Sequence, residues 1–168
     1  PRGQGVHPSS PGYLYVRRRK EPSMPAVVSL SDLEDALAWV SGPPEFDTAA
    51  FISRSTGRIY LRNEDGGVDD DLPEDIEDGT EYLALPHKND LDLGRDLVLS
   101  FIESVAPNLH EQVREIFRKK GAYSRFKDLL QRQSLLERWH DYERSETQHA
   151  LARWAAENGL TATPQRDA

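Results

Sequence analysis

The segment Ala49-Ala50-Phe51-Ile52-Ser53-Arg54-Ser55-Thr56-Gly57-Arg58-Ile59-Tyr60-Leu61-Arg62 sets the fold class. Two short runs rich in apolar and aromatic residues flank Arg54-Ser55-Thr56-Gly57, where Gly accepts a positive φ. In the second run Arg58, Tyr60 and Arg62 share one face, and Ile59 and Leu61 share the other. That alternation predicts a sheet with one wet face. Downstream, Glu81-Tyr82-Leu83-Ala84-Leu85 reads as a third strand, stopped by Pro86. Three strands in succession predict an antiparallel meander.

Upstream, Ser29 to Val40 reads as a helix. Leu30, Leu33, Leu37 and Val40 recur at helical spacing, Ser31 and Glu34 have capping-box spacing, and Gly42-Pro43-Pro44 ends the pattern. From Asn89 the pattern turns helical. Asn89 or Asp90 can cap a helix carrying Leu93, Leu97, Phe101 and Val105. Asn108 with Glu111 opens a helix with Leu109, Val113, Ile116 and Phe117, which Gly121 breaks. Ala122 to Leu130 forms the next. Ser134 with Glu137 opens a long one, closed near Glu157 by Asn158-Gly159.

The expected architecture is therefore α+β. A small three-stranded antiparallel sheet with one N-terminal helix precedes a C-terminal helical half of about four helices. Residues 24–160 are expected to be a single domain with a frayed tail, 161–168. Its core should include Leu33, Leu37, Ile59, Leu97, Phe101, Val113, Phe117, Phe126, Trp139 and Trp154.

The chain has 168 residues, is 37% hydrophobic and 30% charged, and lacks cysteine. Disulfides, thiolate metal sites and cysteine nucleophiles are excluded. No apolar run approaches the roughly 18 residues of a membrane span. A cytoplasmic protein with no membrane association is expected. The net charge of -8 divides unevenly: +4 over residues 1–23, -11 over 24–88 and -1 over 89–160. The leader 1–23 is rich in Pro, Gly and Ser, and the only methionine, Met24, follows it. It reads as a disordered leader upstream of a start at Met24. The rival reading makes Tyr13 to Lys20 a basic, aromatic arm for nucleic acid.

The acidic segment Glu64 to Glu81 reads as a solvated loop. An EF-hand fails in both registers: Gly79 in sixth place puts Ile76 third and Leu85 last, and Gly66 in sixth place puts Leu61 first. Loose divalent binding and a basic partner are its other readings. Glu146-Thr147-Gln148-His149 is a single E-x-x-H, where di-iron bundles use the motif twice. With His140 and Glu143 it forms a polar stripe that reads as solvated. There is no G-x-S-x-G elbow, phosphate loop or dinucleotide fingerprint. No cofactor and no metal is implied.

The candidate binding residues are Arg114, Arg118, Lys119, Lys120, Tyr123, Arg125 and Lys127, interleaved with Phe117 and Phe126. Two helices joined at Gly121 resemble a helix-turn-helix, and cations beside aromatics suit phosphates and bases. Against this, Phe117 and Phe126 fit a core, and this half of the chain is nearly neutral.

With Gly121-Ala122-Tyr123-Ser124-Arg125-Phe126-Lys127-Asp128 the chain resembles a bacterial family, uncharacterised protein family 0158. The likeness spans roughly residues 28–160. It takes in the Thr56-Gly57 turn, Leu85-Pro86, Phe101, Trp139, Ala150 and Trp154. Tyr123 stands where the family usually has Phe. His140 stands where another aromatic is expected, which weakens an aromatic cluster there. The resemblance implies no activity.

Three functions follow. The first is a non-enzymatic binding or adaptor protein with a protein partner, in which Arg125 and Lys127 touch the partner or clamp Asp128 and neighbouring carboxylates. The second is a nucleic-acid-associated regulator using 114–127. The third is an enzyme handling a phosphorylated small molecule through Arg118, Arg125 and Lys127.

Overall fold

A computed structural model describes residues 24–68 and 72–164. The leader expected at 1–23 and the end of the tail, 165–168, lie outside the described residues. The class is α+β, and the described residues form five α-helices, a four-stranded antiparallel sheet and a two-stranded parallel one. The elements are β1 (Ala26–Ser29), α1 (Leu30–Val40), β2 (Ala49–Ser53), β3 (Ile59–Asn63), β4 (Gly66–Gly67) and β5 (Tyr82–Ala84). Then follow α2 (Arg95–Val105), α3 (His110–Ile116), α4 (Ala122–Arg132), α5 (Leu136–Glu157) and β6 (Leu160–Thr163).

The hairpin β2–β3 forms as expected, with Gly57 at φ 75°. The predicted meander does not. The order is β4-β3-β2-β5, so β5 pairs with β2 and makes it the central strand. Four of the five β2 residues are buried for that reason. One face of the sheet carries Ala50, Ile52 and Leu83 into the core. The other carries Phe51 opposite Tyr60, Tyr60 edge-on to Tyr82 at 5.8 Å, and the Arg58 guanidinium 4.8 Å from the Tyr60 ring. This is the expected wet face, with aromatic surface shielded by cations.

The second sheet is a departure from expectation. Thr161 to Thr163, expected to fray, instead extend β6 in parallel register with β1, Ala26 opposite Leu160 and Ser29 opposite Thr163. Leu160 is buried, so it anchors the strand. The hairpin turn closes over this pair. A Cβ on Gly57 would lie 2.2 Å from the Val27 carbonyl oxygen, so only glycine fits there. Arg54 Nη1 donates to the Asn158 carbonyl at 3.3 Å, tying the same turn to the end of α5.

The caps differ as well. Ser29, not Ser31, caps α1, its hydroxyl accepting from the Asp32 N–H at 3.3 Å. Ser134 sits at φ 56°, outside the extended backbone a capping serine needs, and α5 starts without a side-chain cap. Asn89 and Asp90 belong to a 3-10 turn, 88–91, and α2 starts only at Arg95 after Gly94.

Two hydrophobic cores result. The first joins β1, α1, β2, β5, β6 and the C-terminal half of α5, around Leu33, Ile52 and Leu151. The second joins α2, α3, α4 and the start of α5, around Phe101, Phe126, Leu130 and Trp139. Of the expected core, Ile59, Phe117 and Trp154 are half-buried rims and the others are buried. The aromatic cluster that His140 put in doubt does form. Trp139 lies 5.3 Å from Phe101 and 5.2 Å from Phe126, Tyr142 lies 5.2 Å from Phe101, and His140 points outward and is exposed.

The described part of the acidic segment is held to the sheet: Gly66 and Gly67 pair with β3, and Glu81 accepts from Ser53 and Ser55. Ile76 is buried, Glu77 pairs with Arg62, and Asp78 accepts from the Thr80 N–H and hydroxyl. Those bonds hold the Asp78 carboxyl below the usual carboxylate range.

Candidate functional site

The cations of the 114–127 segment divide by role. Arg114 pairs with Glu111 at 3.2 Å and Arg118 with Glu115 at 2.6 Å, both one turn away on the same chain segment. Arg125 turns back on α3, and its Nη2 donates to the carbonyls of Ile116 and Lys119, both at 3.2 Å. The Ile116 carbonyl also accepts from the Lys119 N–H at 3.4 Å, and a cation at the C-terminal end of α3 suits the negative end of the helix dipole. No bond joins Arg125 to Asp128; the clamp expected of it goes to backbone instead. Gly121, at φ 73°, makes the reversal between α3 and α4. Phe126 fills the second core, and Phe117 stands edge-on to both Tyr123 and Phe126. Lys119 and Lys120 lie exposed in the turn.

Tyr123 and Lys127 are what remain, and they share a cleft of about 470 Å³ where the two cores meet. α1 contributes Glu34, its C-cap residue Ser41 follows, α4 contributes Tyr123 and Lys127, and α5 contributes Glu143 and Thr147. Lys88, which opens the 3-10 turn before α2, joins them. Its backbone N–H donates to Ser41 Oγ at 3.1 Å, pinning that turn to the end of α1. Its Nζ lies 4.7 Å from the Tyr123 ring centroid, a cation–π distance. Burial, and then the neighbouring Glu143 carboxylate, push the Tyr123 hydroxyl above its ordinary range, so it stays a neutral donor at physiological pH.

Among the described residues neither Lys88 nor Lys127 has a carboxylate oxygen within 4 Å, and neither do Glu34 and Glu143 have a cation. The cleft thus holds two ammonium groups, two carboxylates and a phenol with unspent capacity. Lys88, Glu34 and Glu143 escaped the sequence analysis as cleft residues. Lys88 follows a strand and a proline with no periodic partner, so no local pattern marks it.

In the stripe His140, Glu143, Glu146 and His149, the first two line a shallow depression with Glu34, and the last two lie beside each other. Glu143 faces the cleft, and His149 Nδ1 lies 3.9 Å from Glu146. Among the described residues no three His, Asp or Glu side chains are grouped to hold a metal ion. Among the same residues, no helix is long and apolar enough to cross a membrane. Comparison with protein-family models, with curated proteins and with solved structures finds no match for this chain.

Proposed function

We propose that the chain is a non-enzymatic binding protein, an adaptor whose partner enters the cleft between the two cores. One observation carries this reading. Lys88, Tyr123 and Lys127 converge there from separate elements, facing Glu34 and Glu143, with no ion pair among them. A partner segment presenting an acidic group to the lysines and a basic one to the carboxylates would satisfy all of them. Complementary charge of this kind sets specificity and register.

The nucleic-acid and phosphate readings draw less support. Arg114 and Arg118 are already paired with glutamates, and Arg125 is committed to backbone carbonyls. Arg118 pairs with Glu115, Arg125 donates to backbone carbonyls, and Lys127 alone of the three lines the cleft, so they form no common phosphate pocket.

Affinity capture from native lysate tests the proposal, with the full chain and its Lys88→Ala/Lys127→Ala variant compared at low and moderate salt. A discrete protein held by the parent at moderate salt should fall by about tenfold or more with the variant, as loss of two central contacts implies. Circular dichroism should be unchanged. Equal recovery by both chains would defeat the proposal. Recovery of nucleic acid alone, at low salt only, would defeat it too and shift attention to Lys119 and Lys120.

A further inference from the structure

A second concave surface adjoins the cleft at Ala38 and opens where the C-terminal end of α1 meets the turn at 44–46 and the β3–β4 turn. Its volume is about 510 Å³, and its walls include Trp39, Pro43, Phe46, Glu64 and Asp65. The walls are built before any ligand arrives. Trp39 is held at both ends: its Nε1 donates to the Arg62 carbonyl at 3.1 Å, and its own carbonyl accepts from Thr48 Oγ1 at 2.9 Å. Pro43 and Pro44 have φ constrained by their rings, and the Phe46 N–H donates back to the Pro43 carbonyl at 3.2 Å. Phe46 is nonetheless 57% exposed. One exposed aromatic is ordinary, but one on the wall of a rigid apolar groove is the mark of a binding surface.

The charge around this groove has one sign. Glu64 and Asp65 line it, and Glu45 and Asp47 flank Phe46; all four are exposed. Among the described residues none of the four pairs with a cation, and no basic residue lines the groove. A second copy pairing this same face on itself would bring like carboxylates together and be repelled. A nucleic acid would be repelled likewise.

We propose that this groove docks a basic peptide segment of a partner protein. The segment sets one aromatic or long aliphatic side chain against Trp39, Pro43 and Phe46, and places Arg or Lys beside Glu64 and Asp65. The apolar anchor supplies affinity, and the charged rim selects the partner and speeds its arrival.

The test is fluorescence anisotropy with the full chain and a labelled peptide, Arg-Lys-Leu-Phe-Arg-Lys. Two control peptides replace Leu-Phe by Gly-Gly, or the four bases by Glu. The anchored basic peptide should bind, and both controls should bind at least about tenfold more weakly. Phe46→Ser should weaken binding by a similar factor. Glu64→Lys with Asp65→Lys should weaken it more at low salt than at high, while Lys88→Ala/Lys127→Ala leaves it unchanged. The proposal is overturned if the anchored peptide fails to bind, if the Gly-Gly peptide binds equally well, or if Phe46→Ser has no effect. Sedimentation supplies an independent check. A dimer that Phe46→Ser converts to monomer would make a second copy the occupant and overturn the proposal; a monomer in both chains agrees with it.

Discussion

The two cores are built from different materials. The first is aliphatic: Val28, Leu33, Ile52, Leu83 and Leu151 fill it, and it closes only when residues 26–29 pair with 160–163. The second sets a run of aromatic rings among its aliphatic side chains. Tyr123, Phe117, Phe126, Trp139, Phe101 and Tyr142 form a connected series of ring contacts, all drawn from residues 101–142. The first therefore depends on contacts distant in sequence and the second on nearer ones, and the entropy of loop closure falls mainly on the first. α5 belongs to both, with Trp139 in the aromatic core and Leu151 and Ala155 in the aliphatic one. The cleft lies between them because α1 and α4 pack on that helix from the two sides.

The sharpest way to break this comparison is at Trp139. Trp139→Ala should cost about 3–5 kcal/mol, since the indole is buried among three aromatic rings. Leu151→Ala, in the other core, should cost about 3 kcal/mol. Because α5 spans both cores, urea should unfold each variant in a single transition, with circular dichroism and tryptophan fluorescence coincident. Two separated transitions would show that the cores are independent. Trp139→Phe should cost much less than Trp139→Ala, because it keeps an aromatic ring against Phe101 and Phe126 and leaves a far smaller cavity.

Next in size is Gly57→Ala. The new Cβ would meet the Val27 carbonyl oxygen at 2.2 Å on a backbone at φ 75°, so a destabilisation of at least about 2 kcal/mol is expected. The loss should fall on the aliphatic core. Hydrogen exchange should therefore quicken at β1 and β6 before it quickens in α4. Uniform quickening would contradict the division into two cores.

The smallest effect is acid sensitivity, again placed in the sheet half. Glu81 Oε1 accepts from the Ser55 and Ser53 hydroxyls at 2.6 and 2.8 Å and from the Ser55 N–H at 3.3 Å. These bonds, Ser55 first, hold its carboxyl below the usual range. A lowered folded pKa stabilises the fold at neutral pH. That contribution begins to fade as the pH drops through the ordinary glutamate value, about 4.3, and is gone below the lowered one. Glu81→Gln should flatten that part of a stability-versus-pH curve, leaving the aromatic core's response unchanged. An unaltered curve would remove Glu81 from the account.

Local pattern made much of this legible. The β2–β3 hairpin follows from alternation around a turn ending in glycine, and the wet face of Arg58, Tyr60 and Arg62 follows from the strand period. The break at Gly121 follows from its freedom to take positive φ. Capping spacing was less decisive, because a Ser-x-x-Glu run caps only where the serine backbone is extended. Ser31 lies inside α1 and Ser134 is left-handed, while Ser29, one residue ahead of α1, does the capping. Arg125 shows the same limit from another side. As a cation beside aromatics it looks like a ligand contact, and only the position of α3 shows that it closes a helix end.

The sequence by itself determined the α+β class, the hairpin, the four helices of the C-terminal half and most of the buried positions. Each of these is a periodicity of two or 3.6 residues, or a backbone preference, acting over neighbours. Tertiary structure alone decided that β5 pairs with β2, that β6 joins β1 across more than 130 residues, and that Lys88 meets Tyr123 and Lys127. Strand partners and converging side chains depend on how separate elements bury their apolar faces together, and no local period in a single chain records that choice.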